Sequence, residues 1–213
     1  MGFLSGGPYY DMIGRTGNNV GRRVKGKNVF SMRPSKSNKA PTVAQVNQRL
    51  RFELVASWLR RLGSVIDIGF KEYDAQMSAR NAAFSYNVLH AITGVTPNYT
   101  IDYAKVMFSK GPLDLPNDPQ INVATAAKLD YSWAATTGDS NGLATDKFSF
   151  VVFNPSKNKF VTLKGGAVRS ALAYSLQLPG DFSGDTVEAY FSIVSADGKM
   201  VSDSVYIGPF IVL

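Results

Sequence analysis

The sequence predicts an α+β chain in which a basic N-terminal extended arm and a two-helix layer precede an immunoglobulin- or fibronectin-like antiparallel β-sandwich. Three observations predict it. The net charge is concentrated before residue 42, apolar residues then recur at helical spacing, and from Ile121 onward short alternating runs follow one another with turns between them. The expected divisions are 1–41 for the Gly/basic arm, 42–112 for a helical region with one strand, and 113–213 for the sandwich. A chain of 213 residues, 45% hydrophobic and 12% aromatic, can bury a substantial core.

The arm holds eight basic residues, Arg15, Arg22, Arg23, Lys25, Lys27, Arg33, Lys36 and Lys39, against Asp11 alone. Its +7 is the whole net charge of the chain, because the remaining 15 basic and 15 acidic residues cancel. A field concentrated in this way attracts an anionic surface, phosphate backbone or acidic protein face, and weakens in salt. A solvated, solubilising tail is the plain alternative. Against it stand Val20, Val24, Val29 and Phe30, which imply one buried side. Val20, Arg22, Val24, Gly26, Asn28 and Phe30 share one parity, so a short extended hairpin or edge strand is expected. The loop "SKSNKAP" ends the arm.

Thr42, with Gln45 three residues on, has the spacing of a capping box. Val43, Val46, Leu50, Leu54, Trp58 and Leu62 then recur every three or four residues, Val55 and Leu59 widen the stripe, and Gly63 closes it. Arg49, Arg60 and Arg61 lie off the stripe, as on the wet face of a surface helix, and Arg51 and Phe52 flank it. After the link "VIDIGF", a second helix is expected from about Met77 to Thr93, with Ala79, Ala82 and Ala83 on a small-residue face and Gly94 at its end. The alternation in "YTIDYAKVMFSKGPL" predicts a strand ending at Gly111-Pro112.

The sandwich is expected as seven short strands from "AAKLDYSWAA", "KFSFVVFNP", "KFVTLKG", "ALAYSLQLP", "DTVEAYFSIVSADGK" and "MVSDSVYIGPFIVL". The turn "NPSKN" joins two of them as a hairpin and "ADGK" precedes the last. Trp133 on an early strand and Tyr190 on the penultimate one fit such a sandwich, with Tyr190 a candidate for a tyrosine corner.

The chemistry is sparse, and no enzyme is expected. With no cysteine there is no disulfide, thiolate metal site or cysteine nucleophile. His90, the only histidine, has no neighbouring acid pair to form a catalytic or metal site. Glu72 with Asp74, and Asp181 with Asp185, fall in loops and read as solvated acids. The glycines of "GRTGNNVGRRVKGK" lack the preceding strand and the G-K-[ST] ending of a phosphate loop. Asp139, Asn141 and Asp146 do not have calcium-loop spacing, and Gly138 and Gly142 make the segment a turn. Catalytic residues, metal ligands, cofactor and small-molecule substrate are accordingly all expected to be none. No run of eighteen apolar residues and no signal peptide is present, so a cytoplasmic location or an assembled particle is expected, with no membrane span.

The phrases "GNNVGRRVKGKNVFSMRP", "PTVAQVNQRLRFELVASWL", "NVLHAITG", "VMFSKGPL" and "YFSIVSADGKMVSDSVYIGPFIVL" resemble, across the whole chain, a Bacteroidota family known as a domain of unknown function. That resemblance implies no activity, cofactor or catalytic residue. The "PT-x-x-Q-x-x-x-R" start of the first helix is similar to that of phage-type and self-assembling proteins, by analogy alone.

Two functions remain. One is a non-enzymatic structural or interaction protein, a homo-oligomer or assembly component of a filament, tube or phage-like particle, docked through Val20, Val24, Val29 and Phe30. The other is sequence-independent nucleic-acid binding by Arg15, Arg22, Arg23, Lys25, Lys27 and Arg33. Six phosphate contacts would imply a log–log salt slope of magnitude about five. Phe30 alone among these residues could stack on a base, fewer platforms than single-strand binders present.

Overall fold

The computed structural model describes all residues except 1, 8, 25, 37, 74–76 and 136–139, and divides into two compact units, Met1–Thr42 and Val43–Leu213. In place of an extended arm, the first unit is a four-stranded antiparallel sheet. Its strands are β1 (Gly2–Leu4), β2 (Gly14–Thr16), β3 (Asn19–Val24) and β4 (Lys27–Met32), in the order β1-β4-β3-β2. Gly26 has φ +75°, a left-handed conformation that costs a glycine little, and the chain reverses there so that Val24 pairs with Lys27. That reversal inverts the side-chain parity. Val20, Arg22 and Val24 share a face with Lys27 and Val29, whereas Asn28 and Phe30 stand on the other. The single-parity face expected across the turn is therefore corrected.

The second unit opens with α1 (Val43–Leu59), a 3-10 turn (Arg60–Leu62) and α2 (Gly63–Gly69). Gly63 does not stop the helical path: it is right-handed at φ −48°, ψ −44°, and "VIDIGF" is largely helix. The apolar stripe buries only in its C-terminal half. Val55, Trp58, Leu59 and Leu62 are buried, while Val43 and Val46 are exposed. The next helix, α3 (Ala79–His90), starts on Ser78, whose hydroxyl accepts from the Asn81 amide.

Gly94 belongs not to the end of α3 but to a hairpin of β5 (Ile92–Val95) and β6 (Asn98–Ile101). At φ +91° it answers a turn requirement as readily as a helix cap. Beyond β6 the expected strand gives way to a 3-10 turn (Tyr103–Lys105) and an extended segment. Buried Asn87 of α3 holds that segment: its amide donates to the Met107 carbonyl at 2.7 Å, and the Met107 amide donates to Asn87 Oδ1 at 2.9 Å. One asparagine thus replaces a strand partner.

The remaining strands are β7 (Asn117–Asn122), β8 (Lys128–Ala134), β9 (Lys147–Asn154), β10 (Lys159–Val168), β11 (Ala173–Gln177), β12 (Thr186–Val194) and β13 (Val205–Ile211). They form two antiparallel sheets, β11-β8-β7 and β10-β9-β12-β13. Between the sheets lies a core containing Leu129, Trp133, Phe148, Phe150, Val152, Val187 and Phe191. On the far face of the four-stranded sheet, Val151, Phe153 and Tyr190 join Trp58, Leu62, Ile66 and Phe108 in a second core under the helices. β9 and β12 are buried on both faces, which is why their sequences are nearly continuous apolar runs. Gly69 lets the helical layer approach: a Cβ there would collide with the Phe108 carbonyl oxygen.

Candidate functional site

The six cations singled out in the sequence are not gathered on one surface. Arg15 on β2, Arg22 on β3 and Lys27 on β4 share a face with Phe3, Val20, Val24 and Val29. Arg23 is on the opposite face with Asn28 and Phe30, Arg33 follows β4, and Lys25 lies outside the described residues. Arg15, Arg22, Arg23, Lys27 and Arg33 are exposed, and none of the five has an ion-pair partner among the described residues. Arg15 Nε donates to the Gly17 carbonyl at 3.1 Å, and Lys27 Nζ stands 5.7 Å over the Phe3 ring.

The docking set is likewise divided. Val29 is only 5% exposed, Val20 is half-buried and Val24 is exposed. Phe30 stacks with Tyr9 on the other face, at 6.4 Å between ring centroids. On that face the Met12 carbonyl crosses Gly21 so closely that any Cβ would strike it. Phe3, Ile13 and Met32 stay 67%, 73% and 74% exposed.

In the second unit, Asp181, Asp185 and Asp146 have structural partners. Asp181 pairs with Lys159 at 2.8 Å, and Asp185 pairs with Lys157 and accepts from Asn154. The hydrogen bonds from those lysines hold both carboxyls below the usual carboxylate value. Asp74 and Asp139 lie outside the described residues. Asn141 and Asp114 clamp each other through backbone and side chain, at 2.8 and 3.0 Å. Asp146 faces Arg169 at 3.5 Å with both side chains buried. The His90 ring packs tilted against Tyr86, at 4.5 Å between ring centroids. Among the described residues no group of three or more His, Asp or Glu side chains could hold a metal, and no helix is long and apolar enough to cross a membrane.

A cleft of about 340 Å³ between α1, β6 and the β9–β10 turn was not legible in the sequence. Trp58, Tyr99, Tyr103 and Phe153 supply aromatic walls, and Arg61 stands among them. Arg61 is more than part of a wet helix face: its Nη1 donates to both the carbonyl and the side-chain oxygen of Asn158, 97 residues away.

A family model matches residues 11–208, all but the ends of the chain. The chain belongs to DUF6266, a family of unknown function. The match extends from the N-terminal sheet of this DUF6266 chain into β13, so both units fall within the family. No curated protein matches the sequence.

Proposed function

We propose that this DUF6266 chain is a non-enzymatic structural or interaction protein that assembles with copies of itself, or docks to a partner, through its N-terminal sheet. The observation that carries this reading is a small unit, Met1–Thr42, that leaves large apolar side chains exposed. Among its described side chains Val29 is the one large hydrophobic that is buried, whereas Phe3, Ile13, Val24 and Met32 are exposed. A unit so small needs a metal, a disulfide or a partner surface to be stable, and cysteine is absent from the chain. Within its own sheet β1 and β2 are the edge strands, the positions where a further strand adds. A filament, tube or phage-like particle, in the cytoplasm or outside it, is the kind of assembly this supports.

The β11-β8-β7 and β10-β9-β12-β13 orders support an immunoglobulin or fibronectin type for the sandwich. The tyrosine-corner role expected for Tyr190 is not part of it, because the Tyr190 hydroxyl reaches Tyr103 in the helical layer.

A second reading, sequence-independent nucleic-acid binding, rests on five exposed arginine and lysine side chains without ion-pair partners among the described residues, three of them on one sheet face. One comparison separates the two. Full-length protein and a chain of residues 43–213 are weighed by light scattering and titrated with random DNA and RNA at low and physiological salt. An oligomer that needs residues 1–42 and survives salt supports assembly. Monomers of both, with salt-sensitive binding by the full-length chain alone, support nucleic-acid binding instead.

A further inference from the structure

The aromatic cleft sets one guanidinium among aromatic side chains. Its volume, about 340 Å³, is in the range that takes a small molecule, and its aromatic walls come from four separate elements, α1, β6, the Tyr103–Lys105 turn and β9. None of its lining residues is a carboxylate, and Arg61 is the only charged one. The Asn158 oxygens engage Nη1 of Arg61 and fix the guanidinium. The Nε and Nη2 edge has no acceptor among the described residues. That edge carries two parallel N–H groups, the geometry a carboxylate accepts in bidentate fashion. Elsewhere in the chain the same edge is already taken: Arg80 donates from Nε and Nη2 to the two oxygens of Asp67, at 3.0 and 2.8 Å.

We propose that the cleft binds a small carboxylate with an aromatic or branched apolar body, the carboxylate on the Nε/Nη2 edge of Arg61 and the body against Trp58, Tyr99 and Tyr103. All of the residues lining the cleft belong to the second unit. A free acid and the carboxyl end of a peptide chain share this chemistry.

The test is calorimetric titration of the full-length protein with 2-naphthoate, 2-naphthamide and N-acetylglycylphenylalanine. Saturable one-to-one binding of naphthoate is expected, with the uncharged amide weaker by about ten- to a hundredfold, the loss of a charge-assisted hydrogen bond. Arg61→Gln should lose as much, and Arg61→Lys, which keeps the charge but not the fork, should fall between. Phe52→Ser, in the separate groove between α1 and α3, should bind like the parent. Thermal melting of each variant shows that it is folded. Tighter binding of the peptide assigns the site to a chain terminus and tighter binding of naphthoate to a free acid, and either sustains carboxylate recognition. Equal affinity for acid and amide, undiminished binding by Arg61→Gln, a loss in Phe52→Ser matching that in Arg61→Gln, or no saturable binding would overturn it.

Discussion

The hydroxyl of Tyr190, on a central strand of the four-stranded sheet, donates to the backbone carbonyl of Tyr103 at 2.8 Å, across 87 residues of sequence. It joins the sheet to the segment under the helices. Tyr206 donates to Glu188 beside it, at 2.7 Å. Tyr190→Phe removes the donor and leaves the Tyr103 carbonyl underused, at a cost of about 1–3 kcal/mol. Tyr190→Ala also opens a cavity and should cost about 3–5 kcal/mol. Urea unfolding measures both as shifts of the midpoint at constant slope.

Buried tyrosines should make the fold sensitive to alkali. Burial raises Tyr131 and Tyr190 far above the ordinary phenol value, and burial, then Glu188, raises Tyr206. Below about pH 10 these groups are neutral whether the chain is folded or not. Above it the unfolded chain ionises while the folded one holds its protons, so stability falls by about 1.4 kcal/mol per pH unit for each of the deeply buried Tyr131 and Tyr190, with less from the more exposed Tyr206. Denaturant titrations from neutral to strongly alkaline pH should show a plateau and then this decline. On the acid side, the hydrogen bond from Arg80 lowers Asp67, so its contribution holds above the normal carboxylate range and is lost as pH falls through the depressed value. Being exposed, that pair should contribute little.

At one end of the sandwich, Arg169 and Asp146 form a buried ion pair, and Arg169 Nη2 donates to the Asp114 carbonyl at 2.5 Å. The Arg169 carbonyl accepts from Trp133 Nε1 at 2.8 Å. Removing one charge strands the other in the core, so Arg169→Met or Asp146→Leu alone should each cost about 3–5 kcal/mol. The double substitution should cost clearly less than the two losses added, and a double-mutant cycle by chemical denaturation measures the difference.

Gly21→Ala tests whether the N-terminal sheet behaves as its own unit. The added methyl meets the Met12 carbonyl, so amide-exchange protection in β2, β3 and β4 should drop while protection in β9 and β12 stays unchanged.

Much of the sandwich was legible because its strands alternate between recognisable turns. β8, β9, β10, β11, β12 and β13 fall where "AAKLDYSWAA" and its successors place them. The helical layer on the far face was less so, although the apolar runs "FSFVVF" and "VEAYFSIV" carried the signal of strands covered on both sides. Gly63 and Gly94 misled because glycine suits a helix cap, a helix start and a hairpin alike. The hairpin at Gly26 inverted the face assigned to Phe30, since one turn decides the parity of everything after it. Arg61 could not be separated from its neighbour Arg60, because what distinguishes it is Asn158 on a distant turn.

The most direct test of assembly through the N-terminal sheet is the light-scattering mass of the full-length protein against concentration and salt. A defined oligomer, a multiple of the 23.1 kDa chain that persists at high salt, is the expected result. A mass of one chain at every concentration and salt would contradict it.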